Sequence, residues 1–367
     1  MKKWRLVLQN EFTYGELGSM VSPALKRARK EGVVGDTAVL SEFSRPSVLL
    51  CYYINPEKEI DLKYCEQKGI TIHRILSSGG TGVSNTGQMV LSLYFDAPQY
   101  PLPPDAQGIM RVILSGLAEA FSTHFDVDCR FRPLNDLVIG PRKFTLCTCY
   151  LDGPIAQFRL AVQVKRFSLD VNRIITPPPE KFADKQGKSV SEVITSIEEA
   201  AGRPPSFPEV RDVMLGSLTR TLGVQFQEGD LTPREADYIA RSKEAYDNPS
   251  FKFARTERMK FGAVPAGAVR SEYREKITRG PMISIVVLTR EGRIQNILIN
   301  GGFQVSPLEM VERLEDALLD TEVREDSIRK KVEEVYSMPH VEFPGLAAEE
   351  FSRIIFKAAS GGGKEGV

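Results

Sequence analysis

The sequence predicts an α+β protein: a central mixed sheet flanked by helices, followed by a small α+β unit at its C-terminal end. Three observations predict it. Segments with strand character recur through the first half. Helical periodicity and helix start signals dominate the second. A polar stretch near 256–280 then precedes a fresh pair of strands. At 367 residues the chain is long enough for two domains with sizeable cores, and 42% hydrophobic and 26% charged residues are ordinary for a globular protein.

Taken in order, WRLVLQ reads as a strand and residues near 16–31 as a helix ending at Lys30-Glu31-Gly32. SVLLCYYI is a buried strand, and EKEIDLKYCEQKG a short helix stopped by Gly69. KGITIHR alternates like a strand, and MVLSLYFD reads as another. Apolar residues at Ile109, Val112, Ile113, Leu117 and Phe121 mark an amphipathic helix. Strand-like segments broken by Pro133, Gly140-Pro141 and Gly153-Pro154 follow. Ser189-x-x-Glu192 and Thr232-Pro-Arg-Glu235 are capping boxes, the first opening a helix to Gly202, the second one that stops at Asp247-Asn-Pro249. Ser306-Pro-x-Glu309 repeats the device. MISIVVLTREGRIQNILIN is two strands joined by a Glu-Gly turn, with helices expected near 306–320, 325–336 and 346–358. The expected organisation is a catalytic domain over 1–255, a linker over 256–280 acting as a hinge, an accessory domain over 281–360 and a disordered tail over 361–367.

Charge and composition exclude several classes. Lys+Arg and Asp+Glu both number 48, and this balance gives no support to a nucleic-acid binder. Five cysteines without a CxxC pair, and only three histidines, predict neither a disulfide framework nor a metal site. The N-terminal stretch lacks the apolar core of a signal peptide, and no apolar run reaches the roughly 18 residues of a membrane span. A cytoplasmic protein without membrane contact is expected.

Between two of the strands lies ILSSGGTGVSNTGQ, Ile75 to Gln88, with four glycines, three serines and two threonines. Glycine's freedom allows a long hairpin turn. Without Cβ atoms, peptide N–H groups can also form a nest for a phosphate or carboxylate. No Gly-Lys-Ser/Thr closes the loop and no helix start follows, so it is neither a nucleoside-triphosphatase phosphate loop nor a dinucleotide fingerprint.

The loop and its surroundings resemble the lipoate–protein ligase family of the biotin/lipoate ligase superfamily. In that family an Asn-Pro begins a short helix, and R-R-x-S-G-G-G-A and V-x-H-D-x-G-N elements follow. Here Asn55-Pro56 begins the helix, Arg74 falls at the first arginine, Ser77, Ser78, Gly79 and Gly80 occupy S-G-G-G, Thr81 stands at the alanine and Gly87 at the later glycine. A second block, RPLNDLVIGPRKFTLCTCY, is similar to the family's R-x-N-D-L…G-R-K-I-S-G-S-A through Asn135, Asp136, Leu137, Arg142 and Lys143. The segment EKFADKQGKSVSEVITSI and the Asn-Pro of DNPSFKF also fit. The chain departs at Ile75 for the second arginine, at Gly82 for a hydrophobic residue, at Ser84-Asn85 for His-Asp, at TLCTCY for S-G-S-A, and near Leu160-Ala161-Val162 for His-Gly-Thr.

The resemblance implies ATP-dependent activation of lipoate to lipoyl-adenylate, with magnesium on the pyrophosphate, then transfer to a lysine of a lipoyl-carrier domain. Lys143 would hold the adenylate phosphate and acyl oxygen. Arg74, Ser77, Ser78, Gly79, Gly80, Thr81, Gly82, Asn85, Asn135 and Asp136 would bind adenylate or lipoate. The departures leave a second expectation, a homologue that binds an acyl or nucleotide ligand, or a lipoyl carrier, without catalysis. A third is a cysteine-dependent lipoyl or octanoyl transfer through Cys147 or Cys149. Their spacing of two puts both on one strand face, where they could equally be half-buried structural thiols.

Overall fold

The computed structural model describes residues 1–43, 45–176, 193–277 and 281–361. Fifteen strands run among the described residues: β1 Lys2–Gln9, β2 Thr37–Glu42, β3 Ser47–Leu50, β4 Thr71–Arg74, β5 Thr81–Ser84, β6 Gln88–Asp96, β7 Cys129–Arg132, β8 Asp136–Ile139, β9 Arg142–Lys143, β10 Thr145–Asp152, β11 Ile155–Gln163, β12 Val224–Glu228, β13 Val269–Lys276, β14 Met282–Arg290 and β15 Arg293–Gly301. The main sheet has the order β10-β11-β6-β2-β1-β12 and is mixed: β1 lies parallel to β2 and β12, and the other pairs are antiparallel.

Alternation along β6 and β11 sorts the side chains to two faces. Leu91, Leu93, Phe95, Phe158 and Leu160 pack under the helices Ala106–Phe125 and Phe207–Leu222. Val90, Tyr94 and Ala161 face the other way, toward Leu17, Val21 and Leu25 and toward Tyr238 and Ile239 of the helix Pro233–Tyr246. The capping box at Thr232 and Glu235 forms as expected. So does an unexpected one at Ser206 and Glu209, which starts Phe207–Leu222. The capping box expected at Ser189 lies outside the described residues, as do 362–367 of the tail; Ser196 caps the short helix Ile197–Ala201 before Gly202.

Three expectations are corrected. The segment 56–67 is two helices, Pro56–Glu59 and Leu62–Gln67, parted at Ile60, which bridges to Ile175. Ser306 does not cap a helix, because its backbone pairs with Glu342; the helix starts at Met310. Residues 269–276, expected in a linker, are the edge strand of the C-terminal sheet β13-β14-β15.

That C-terminal sheet packs its buried Ile283, Ile285 and Val287 against the helices Met310–Ala317, Glu325–Tyr336 and Ala348–Ala359. Tyr53 inserts into the same core, and its hydroxyl lies within hydrogen-bonding reach of both Glu312 and the Leu308 carbonyl. Buried Arg255 pairs with buried Glu315 and donates to the Ile299 carbonyl at 2.7 Å. These contacts tie the C-terminal unit to Tyr53 and Arg255 on the other side of the expected hinge.

His73 on β4 is buried, and a Cβ on Gly15 would sit 2.3 Å from its ring, so the two are in tight contact. Burial first, then Lys252, pushes its imidazole down from 6.5 to about 4. The unfolded chain therefore binds the extra proton between these values, and stability falls as pH drops from 6.5 toward 4. The expected loss is about 3 kcal/mol. Urea unfolding of wild type and His73→Met across pH 4–7 checks it: the variant should lack this part of the slope.

Candidate active site

The glycine-rich segment does not join two neighbouring strands. β3 lies between β4 and β5, parallel to the first and antiparallel to the second. The connection must cross the end of β3, which a two-residue turn cannot do. Part of the expected loop is itself strand, since Thr81–Ser84 is β5. Gly79 has φ +122°, a conformation that favours glycine.

The end of β10 and β11 and the inner side of β5 enclose a cavity of about 290 Å³. Tyr14, Val83, Leu146, Ala161, Phe167 and Ile194 give it apolar walls, and Thr81, Gln88, Gln163 and Lys143 add polar groups. Its volume lies near the lower end of the roughly 300–1,000 Å³ of small-molecule sites. A neighbouring cavity of about 410 Å³ shares Phe167, Val171 and Ile194 but adds Arg166, Asn172, Thr195, Ser196 and Glu199. An apolar lobe thus adjoins a polar one.

Lys143 lines the apolar lobe, and its backbone meets Thr195 of the polar one. It ends the β8–β9 hairpin, whose turn uses Gly140 at φ +57°. Its carbonyl accepts from Thr195 N at 2.9 Å, and its Nζ lies 3.9 Å from Asp136 Oδ1. The side chain is 37% exposed and lines the apolar lobe. Asp136 also accepts from Arg132 at 2.8 Å, and Asn135 Nδ2 donates to the Cys147 carbonyl at 2.7 Å. Asn135 therefore pins β10 to the turn before β8, and neither it nor Asp136 lines the cavity.

The structure divides the other expected site residues. Thr81 and Gly82 line the apolar lobe. Ser77 and Ser78 line a different cleft of about 310 Å³ with Tyr150 and Gln304. Ser78 Oγ donates to Gln304 Oε1 at 2.9 Å, and a Cβ on Gly302 would lie 3.7 Å from Gly80, so Ser78 to Gly80 rest on the C-terminal unit. Asn85 is buried in the turn after β5, where its Oδ1 accepts from Gly87 N at 3.0 Å and Gln163 Nε2 at 3.3 Å.

Two expectations fail on burial. Arg74 is fully buried and donates to five carbonyls: Cys51, Tyr52 and Ile54 on one side, Phe251 and Lys252 on the other. It is spent inside the protein rather than on a ligand. Burial pushes its guanidinium down to about 10, which still leaves it charged at neutral pH. Cys147 and Cys149 face the core under Ala106–Phe125. Burial pushes the Cys147 thiol up strongly and that of Cys149 to about 12, the reverse of an activated nucleophile. No cysteine lines the described cavity walls.

Sequence reasoning missed Tyr14, Gln88 and Gln163. Tyr14 follows a capping box at Thr13 and Glu16 that was legible in the sequence. Nothing local marks the two glutamines, which meet because β6 and β11 pair them directly.

The mixed sheet thus carries an apolar cavity with a lysine on its wall. The chain belongs to the lipoyl protein ligase A/B catalytic domain family, whose pattern matches residues 22–219. It is 22% identical to lipoate-protein ligase A subunit 1 of Thermoplasma acidophilum over 207 residues, 55% of this chain and 78% of that protein. It is 21% identical to the octanoyltransferase LipM of Geobacillus kaustophilus over 256 residues, 62% of this chain and 91% of that one. Among solved structures, P. falciparum LipL1 in complex with lipoate superposes with TM-score 0.66 at 9% identity, over 96% of this chain and 99% of that one. The bi-partite lipoate protein ligase of T. acidophilum, described with its E2 lipoyl domain, gives TM-score 0.58 at 20% identity over 69% and 97%. Lipoate-protein ligase A bound with ATP gives 0.56 at 17% identity over 69% and 99%. At these identities the likeness is one of fold. No helix among the described residues is long and apolar enough to cross a membrane.

Proposed function

We propose that this chain activates a medium-chain acid of the lipoate class with ATP and passes the acyl group to a lysine on a lipoyl-carrier domain. The observation that carries the reading is Lys143 on the wall of the apolar lobe, with its backbone bonded to Thr195 of the adjoining polar lobe. The acyl chain would lie in the first and the nucleotide in the second. Both halves of an acyl-adenylate would then meet at one ammonium, where charge develops on the acyl oxygen and phosphate. Magnesium would arrive with the nucleotide and screen its pyrophosphate. Transfer through a cysteine is disfavoured, because the thiols are turned away from the cavity and held protonated.

A second reading, binding without activation, is favoured by Arg74, whose charge is consumed by carbonyls, so that Lys143 is the one cation among the lobe's described lining residues. Pyrophosphate release from ATP separates the two. Release that depends on lipoate or octanoate supports activation. Acid binding without release moves the assignment to the second reading, and no binding of either acid or ATP removes both.

A further inference from the structure

The sheet face that carries the apolar lobe also carries a cation without a carboxylate. Arg159 on β11 stands opposite Ser92 of β6 and Thr148 of β10. Its neighbours Phe158 and Leu160 fill the core under Ala106–Phe125, so Arg159 faces with Ala161 toward the other side, and Ala161 lines the lobe. Burial pushes the Tyr14 hydroxyl up and the Arg159 guanidinium opposes that rise, and Tyr14 also lines the lobe. One Nη donates to Ser22 Oγ, which accepts from Tyr94 as well. The Nε of Arg159 and the hydroxyl of fully buried Ser92 are both buried without a partner.

Among the described residues Arg159 forms no ion pair; Asp152, at the end of β10, is held by Lys26 and Lys30. A half-buried guanidinium surrounded by hydroxyls is costly unless an anion meets it. Leu146 lines the lobe, and Thr148 faces the same way one step further along β10. Thr145 to Thr148 is three residues, about 10 Å at strand spacing, a span suited to a medium-chain acid.

We propose that Arg159, with Tyr14 and Ser92, forms a second anion subsite two residues along β11 from the lobe's Ala161, on the side away from Lys143. The site then prefers, among medium-chain acids, those with a carboxylate at the far end. This rests on the acyl-binding reading above and refines its substrate class. A guanidinium suits a carboxylate because its planar N–H groups can be shared between both oxygens.

Isothermal titration of the full chain with octanoate, lipoate and octanedioate tests it. In the wild type octanedioate should bind roughly tenfold or more tighter than octanoate, the scale of one charge-assisted hydrogen bond. Arg159→Met should bring that ratio to about one. If its melting curve shows misfolding, Arg159→Lys, which keeps the charge, should retain part of the preference. An octanedioate no tighter than octanoate in the wild type overturns the subsite alone, as does a preference that survives in folded Arg159→Met. Failure of all three acids to bind overturns the acyl lobe along with it.

Discussion

Lys143→Ala is expected to lower lipoate-dependent pyrophosphate release by about a hundred- to a thousandfold, the cost of removing one preorganised donor from developing negative charge. The side chain is more than a third exposed and its acid partner is 3.9 Å away, so the melting temperature should hardly move. Lys143→Arg should also be poor. A planar guanidinium cannot replace a compact ammonium where acyl oxygen and phosphate converge. The measurement pairs initial rates with thermal melts for both variants. Full activity in Lys143→Ala would take the adenylate-forming mechanism away from this residue. Unchanged lipoate binding with lost pyrophosphate release would place its action on the activation step.

Where one face of an element is buried, the sequence shows it. β6 and the helix Ala106–Phe125 are legible because Leu91, Leu93 and Phe95 alternate, and because Ile109, Ile113, Leu117 and Phe121 recur at helical spacing. β13 is not legible. It is an edge strand whose Arg270, Glu272 and Arg274 are tied into ion pairs, so charge replaces alternation. β5 hides for another reason: Thr81-Gly82-Val83-Ser84 has the composition of a loop, and only pairing with β3 makes it strand.

The site divides in the same way. The motif register located Lys143, and the structure puts that residue on the cavity wall. The spacing of Cys147 and Cys149 gave a shared face but could not say which one. Pairing with Leu160 and Phe158 turns it inward. The register also located Arg74, but its role depends on carbonyls 20 to 23 positions before it and 177 to 178 after it, which no local pattern contains. Arg159 has the opposite problem, since its meaning lies in a carboxylate that is missing and a sequence does not show missing partners.

Arg74→Met should therefore act on folding before it acts on chemistry. The methionine fills much of the space but offers no donors. It leaves the carbonyls of Cys51, Tyr52, Ile54, Phe251 and Lys252 without the guanidinium that now gathers them. Each charge-assisted bond is worth about 1.5–3 kcal/mol, and a buried acceptor left unsatisfied costs about 1–3. Even if water reaches several of these groups, a loss of about 4 kcal/mol is expected. For a chain of this size that is roughly 5 °C in melting temperature. The segment 51–54 carries Tyr53 into the C-terminal core, so loosening it should also free the C-terminal unit. Amide exchange should accelerate at Cys51–Ile54 and Phe251–Lys252 more than in β6 or β11. Arg74→Lys should recover little, because three donors on one nitrogen cannot reach carbonyls on both sides. Were Arg74 instead a ligand-binding cation, Arg74→Met would melt like the wild type and lose acid or nucleotide affinity, and that pattern would return the residue to the active site.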